Sequence, residues 1–315
     1  MTPLAVNDRR ALSRMLSRVA NASVAEVLGM SGGGAASCRR IGVTGSPGVG
    51  KSSLIARLAR SRLSRPGELA IIAIDPTSPK SGGAILGDRI RMQDLADEPR
   101  VFIRSLASRV SQDGLSDNLP DILAVLESAG FAELIIETVG VGQVGYAVKR
   151  VVDTNVLVSM PGTGDQIQAM KGGLLEMADV CVVNKADLPG ARQLAAELES
   201  VIAPRGRPRR DWTPPVILIS AAEQEGIDQL GDAIDRHQAW LDTEGRHDVT
   251  VIERRVQHVG SLVARRTAEI ILTLPHDVLL QPLSAAYAAV VSDLARSCAP
   301  VLPAGDRAAK TMRNP

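Results

Sequence analysis

Eight consecutive residues hold the densest chemistry of the chain: Gly45-Ser46-Pro47-Gly48-Val49-Gly50-Lys51-Ser52. Their spacing is G-x-x-x-x-G-K-[ST], the pattern of a phosphate-cradling loop. Glycines let successive backbone N–H groups curl around phosphate oxygens. The helix that follows such a loop adds partial positive charge at its first turn, where Ser53 lies. A lysine in the position of Lys51 reaches the β- and γ-phosphates, and a hydroxyl in the position of Ser52 ligates Mg²⁺. The flanks fit the motif: the apolar run Ile41–Val43 precedes it, and a helical stretch from Ser53 to about Leu63 follows.

Far downstream, Asn184-Lys185-Ala186-Asp187 follows a second apolar run, Val180–Val183. An aspartate carboxylate accepts hydrogen bonds from both N1–H and the exocyclic amine of guanine. Adenine offers neither donor at those positions, so it would leave the carboxylate unpaired. Sites of that kind reject the analogue strongly. Asn184, Lys185 and Asp187 therefore read as a guanine pocket, with the Lys185 stem as its packing surface. Ser220-Ala221, after the next apolar run, supplies a backbone contact to the guanine carbonyl.

A third group reads as the metal and switch set. Leu134-Ile135-Ile136-Glu137 is an apolar run ending in a carboxylate, and Gly140 comes three residues later. A carboxylate there holds Mg²⁺, usually through water, and a glycine N–H senses the γ-phosphate. Asp75 ends the run Leu69–Ile74, and Asp88 closes the segment Gly82–Asp88. Either acid completes the Mg²⁺ shell or orients the attacking water. Gln143 and Asp75 are the candidate water-positioners. The catalytic set is thus Lys51, Asp75, Glu137 and Gln143, and the metal set is Ser52, Asp75, Asp88 and Glu137.

Positioning these residues needs a rigid frame. Short apolar runs recur at Ile41–Val43, Leu69–Ile74, Val101–Ile103, Leu134–Ile136, Val156–Ser159, Val180–Val183 and Val216–Ile219, separated by loops and helical stretches. Continuous apolar strands alternating with helices predict an α/β fold, a mostly parallel sheet covered by helices on both faces. It occupies residues 39–242. Residues 1–38 read as a helical extension and linker, with Asp8 at a capping position. Residues 243–315 read as a helical, dimer-forming region with a disordered tail. Within it Ile252, Val256, Val259 and Val263 follow a 4-3-4 spacing that sets them on one helical stripe.

Composition narrows the function classes. The 36 basic and 35 acidic residues give a net charge of +1, so nothing global favours nucleic acid or an anionic membrane as partner. Only 2% of residues are aromatic, which argues against base stacking as a recognition mode. Three scattered cysteines without a C-x-x-C pair fit a reducing compartment, and no apolar run is long enough to span a bilayer. The expected location is cytoplasmic.

Taken together, the segments GSPGVGKSS, AIDPTSPKSGGAILGDRIRM, ETVGVGQ, TGDQIQAMKGG and LEMADVCVVNKAD, with DRRAL near the start, resemble the MeaB/ArgK family of P-loop GTPases. The resemblance covers roughly residues 8–240. It implies a homodimeric, Mg²⁺-dependent GTPase of the class that includes nickel-chaperone and signal-recognition GTPases. It further implies a chaperone that gates cofactor loading into an adenosylcobalamin-dependent acyl-CoA mutase, usually methylmalonyl-CoA mutase, and protects that enzyme. Cobalamin enters only through the partner. By position Lys51 and Ser52, Asp75, Asp88 and Glu137, and Asn184, Lys185 and Asp187 carry the family's phosphate, metal and guanine roles. Two segments depart from the family pattern: Val144-Gly145 replaces a Ser-Glu pair, and Ser111–Asn118 holds only Gly114 where a Gly-Gly pair is usual. Other readings are a nucleotide-binding scaffold with little turnover, a kinase or transport ATPase, and a nickel-insertion GTPase. The last should carry metal-binding side chains near a switch, whereas the four histidines fall at 237, 247, 258 and 276.

Overall fold

A computed structural model describes residues 8–30, 38–76, 92, 95, 97–108, 118–138, 148–162, 174–203, 212–223 and 225–298. Each of the seven apolar runs forms a strand: β1 (Arg39–Gly45), β2 (Leu69–Pro76), β3 (Val101–Ser108), β4 (Glu133–Thr138), β5 (Thr154–Ser159), β6 (Val180–Asn184) and β7 (Val216–Ile219). The helices are α1 (Arg9–Val19), α2 (Val24–Met30), α3 (Lys51–Arg62), α4 (Leu119–Ala129), α5 (Ala191–Ile202), α6 (Ile227–Thr243), α7 (Arg246–Thr273), α8 (His276–Leu279) and α9 (Leu283–Cys298).

The strands form one sheet in the order β3-β2-β4-β1-β5-β6-β7, and every pair is parallel. Parallel pairing needs a crossover for each strand, and the crossovers cover both faces. Alternate strand residues therefore enter opposite cores. Ile41, Ile71 and Ile135 pack with Leu54, Ile55 and Leu58 of α3 and Ile234 of α6. Ile72 and Ile136 pack instead with Leu12 and Leu16 of α1 and with Leu119 and Ile122 of α4. Register then places the chemistry. Val43 of β1 pairs with Glu137 of β4, Gly45 with Val158 of β5, and Asn184 of β6 with Ile219 of β7. The phosphate loop and the guanine motif leave the same carboxyl edge, on either side of β5. In open α/β sheets that edge is where ligands bind.

The N-terminal extension is a packed part of this frame. Asp8 caps α1 by accepting a hydrogen bond from the Ala11 N–H at 2.8 Å, as its position predicts. Leu12, Leu16 and Val19 are buried beneath it. Arg9 donates to the Glu98 and Val101 carbonyls, and Arg104 of edge strand β3 donates back to the Ser13 carbonyl.

The 4-3-4 stripe lies on a helix, α7, but the helix is turned the unusual way. An apolar stripe ordinarily marks the packed face. Here Ile252, Val256, Val259 and Val263 are 61%, 67%, 51% and 48% exposed. The charged face points inward: Arg254 pairs with Asp153 at 3.2 Å, His258 and Arg265 with Asp121, and Glu269 accepts from the Val24 N–H. At about 100° per residue, these four anchors sit roughly 110° to 170° around the helix from the centre of the apolar stripe. Asp121 and Asp153 are both buried, so they need those partners. The expected disordered tail beyond Cys298 lies outside the described residues. No helix among the described residues is long and apolar enough to cross a membrane.

Candidate functional site

β1 runs directly into the loop. A side chain at Gly45 would place its Cβ 2.2 Å from the Val158 carbonyl oxygen, so the close approach of β1 to β5 requires glycine. Gly50 has φ +92°, and a Cβ there would meet the Asn184 amide nitrogen at 2.5 Å. The turn thus brings two distant motifs into contact. α3 starts at Lys51, two residues earlier than the sequence predicts, so the lysine and both serines lie in its first turn. Lys51 is 5% exposed, and its ammonium donates to the carbonyls of Gly45 at 2.9 Å and Ser46 at 3.0 Å. The positive charge is held across the mouth of the loop, beside the first turn of α3. That arrangement concentrates donors on one small volume, which suits a polyphosphate.

Ser52 donates from its hydroxyl to the Glu137 carboxylate at 2.8 Å, and both side chains are buried. A hydroxyl and a carboxylate converging beside the phosphate loop are hard oxygen donors, the set that Mg²⁺ takes. From near the end of β4 the glutamate side chain is long enough to meet Ser52. Asp75 closes β2 opposite Ala107, one residue beyond the Ile74–Thr138 pair, at the same edge of the sheet as Glu137. Asp88, Gly140 and Gln143 lie outside the described residues.

The guanine motif is clamped to the loop. Asn184 donates to the Val49 carbonyl at 2.7 Å, and Lys185 donates to the Gly48 carbonyl at 3.1 Å. Lys185 has φ +58°, the one positive-φ residue other than glycine among the described residues. Backbone strain of this kind persists where the surroundings fix it, often at binding sites. Ser220 donates to Asp187 Oδ1 at 3.0 Å. The sequence suggests a backbone contact from Ser220-Ala221, and the structure adds the Ser220 hydroxyl, which orients the acid. Gly50, Ser53, Asn184, Lys185, Asp187 and Ala221 line one cavity of about 390 Å³, which spans the phosphate and guanine motifs.

A larger cavity, about 770 Å³, opens at the other end of the strands. Its wall holds both tryptophans, Trp212 and Trp240, packed on His237, with Arg246 over Trp240. Burial pushes the His237 imidazole down to about 4, against the opposing pull of Asp179. Thr154 and Asp179 contact this ring, and Lys149 pairs with Asp179, so its polar groups are satisfied within the protein. The lining comes from segments scattered between residues 149 and 257, and no local spacing announces it.

Comparison with known proteins agrees with this geometry. Residues 9–274 match the profile of the family described as methylmalonyl-CoA mutase-associated GTPase MeaB. A protein named as a GTPase in Pyrococcus horikoshii is 36% identical over 89% of this chain and 92% of its own length. GTPase ArgK of Escherichia coli is 39% identical over 66% of this chain and 63% of its own. The methylmalonic aciduria type A homolog of Mus musculus, described as mitochondrial, is 35% identical over 70% of this chain and 53% of its own. A crystal structure described as a LAO/AO transport system kinase superposes with a TM-score of 0.63 at 25% identity, covering 93% of this chain and 94% of that one. With a phosphate loop, a buried serine–glutamate pair and a guanine motif on one sheet edge, and this match along most of its length, the chain belongs to the MeaB family of GTPases.

Proposed function

We propose that this GTPase is a nucleotide-driven chaperone of an adenosylcobalamin-dependent acyl-CoA mutase, gating cofactor loading and protecting the mutase. The observation that carries the nucleotide half is the contact between Asn184 and the Val49 carbonyl, which fastens the guanine motif to the phosphate loop. GTP lies along that contact, phosphates on residues 45–53 and base on Asn184, Lys185, Asp187, Ser220 and Ala221. The Lys51 ammonium turns from the loop carbonyls to the β- and γ-phosphates, and the loop N–H groups take the oxygens between them. Ser52 and Glu137, completed by Asp75 or Asp88, would hold Mg²⁺, which would supply charge neutralisation at the phosphates. Gly140 reports the γ-phosphate, and Gln143 or Asp75 orients water. The mutase half rests on family membership: the family is named for association with methylmalonyl-CoA mutase.

The exposed stripe of α7 supports a homodimer. Val249, Ile252, Val256, Val259 and Val263 are all about half exposed or more, and Leu280, Leu283 and Tyr287 near α9 add 86%, 86% and 70% exposed apolar surface. Exposed apolar surface on this scale favours an interface. A second copy supplies the matching face by two-fold symmetry. Co-elution with a purified mutase, in GTP and in GDP, tests the chaperone reading. Nucleotide-dependent co-elution supports it, and no association in either state would contradict it.

A further inference from the structure

The base cavity is longer than guanine recognition requires. Beyond Ser53 it continues along α3 to Arg57 and Arg60, with Leu95 and Ala222 closing its sides. Ser53, Arg57 and Arg60 stand at i, i+4 and i+7, so they share one face of the helix. Arg57 is half-buried, and among the described residues no hydrogen bond or ion pair occupies its guanidinium. Arg60 adds a second, exposed guanidinium one turn on. Within this cavity the acid is Asp187, at the far, base-reading end. The ribose that joins phosphates on the loop to a base on Asp187 must cross between Gly50, Ser53 and Asn184. A ribose turned with its hydroxyl edge toward α3 faces these arginines.

We propose that this face is a subsite for a phosphate group carried on the ribose, so that the protein takes guanine nucleotides phosphorylated at the 3′ position as well as GTP and GDP. The proposal rests on the guanine-nucleotide reading of the site. Guanidinium forks pair with phosphate in a bidentate way, and a half-buried, uncommitted arginine gives up little to do so. Bound there, such a nucleotide competes with GTP and holds the site without a γ-phosphate.

Calorimetry with GDP, ADP and guanosine 3′-diphosphate 5′-diphosphate tests this on the full chain. The expected result is about tenfold tighter binding of the 3′-phosphorylated nucleotide than of GDP, equivalent to about 1.4 kcal/mol, with a steeper fall as salt rises. In Arg57→Ala/Arg60→Ala the two guanine nucleotides should bind alike, at the wild-type GDP affinity; Arg57→Lys should keep part of the difference. Equal or weaker binding of the 3′-phosphorylated nucleotide to wild type overturns the proposal, and so does a preference that survives the double substitution. If ADP binds as well as GDP, the guanine reading itself fails, and that outcome is separate from the other two.

Discussion

Asp187→Asn probes the base pocket with little disturbance. The side chain is exposed, and asparagine keeps the oxygen to which Ser220 donates at 3.0 Å, so the loop geometry should hold. What changes is the complement to the base. The carboxylate accepts from guanine N1–H and from the exocyclic amine. Asparagine accepts one bond and turns an N–H₂ group against the amine, donor to donor. Charge-assisted hydrogen bonds contribute about 1.5 to 3 kcal/mol each, and the lower value suits a site open to water. Losing one such bond and the charge assistance of the other is about 2 kcal/mol, roughly a 30-fold drop in GDP affinity. Xanthine keeps N1–H and has a carbonyl in place of the amine, so asparagine complements it. Titration with GDP, ADP and xanthosine diphosphate should show guanine preference over adenine collapsing while xanthine binding improves. Unchanged GDP-over-ADP selectivity in the variant would refute the argument that Asp187 reads the base.

Further outcomes follow from the same structure. Lys51→Ala should remove GTP binding from the range of calorimetry while leaving the thermal midpoint of the free protein within a few degrees. Asp153→Ala should destabilise the fold by about 3 kcal/mol in urea denaturation, because it strands Arg254 and the Arg40 N–H that donates to it at 2.7 Å. Val256→Asp should shift sedimentation from dimer to monomer at equal protein concentration, with unfolding of the monomer changed by no more than about 0.5 kcal/mol, since the site is exposed. Acidification should cost stability through His237. Its folded value lies near 4, below the usual 6.5, so the unfolded chain takes up the proton first as pH falls. The contribution is present in full above 6.5 and is lost between 6.5 and 4, up to about 3 kcal/mol, and His237→Gln should flatten that slope in chemical denaturation at a series of pH values.

Local rules carried a large part of this protein. All seven strands are apolar runs that the eye finds without a structure, because a parallel sheet buried on both faces leaves no alternation to confuse them. The phosphate loop and the guanine tetrapeptide are contiguous, and their chemistry reads directly from residue order. Long-range pairing is what spacing leaves hidden. Nothing near Asp121 indicates that His258 and Arg265 will contact it from more than a hundred residues away. For the same reason the 4-3-4 stripe of α7 identifies a helix without revealing that its charged face is the packed one. The hydroxyl of Ser220 on Asp187, and the arginine face beyond Ser53, likewise exist only once β6, β7 and α3 converge.

The central claim joins a guanine nucleotide switch to a mutase, and the rate of phosphate release tests it most directly. GTP turnover should be measured with Mg²⁺, with and without a purified adenosylcobalamin-dependent acyl-CoA mutase, beside the Lys51→Ala control. The protein alone should hydrolyse GTP slowly and in preference to ATP, the mutase should accelerate it severalfold, and the control should show no turnover. Equal rates with and without every such mutase tried, or equal use of ATP, would contradict the central claim.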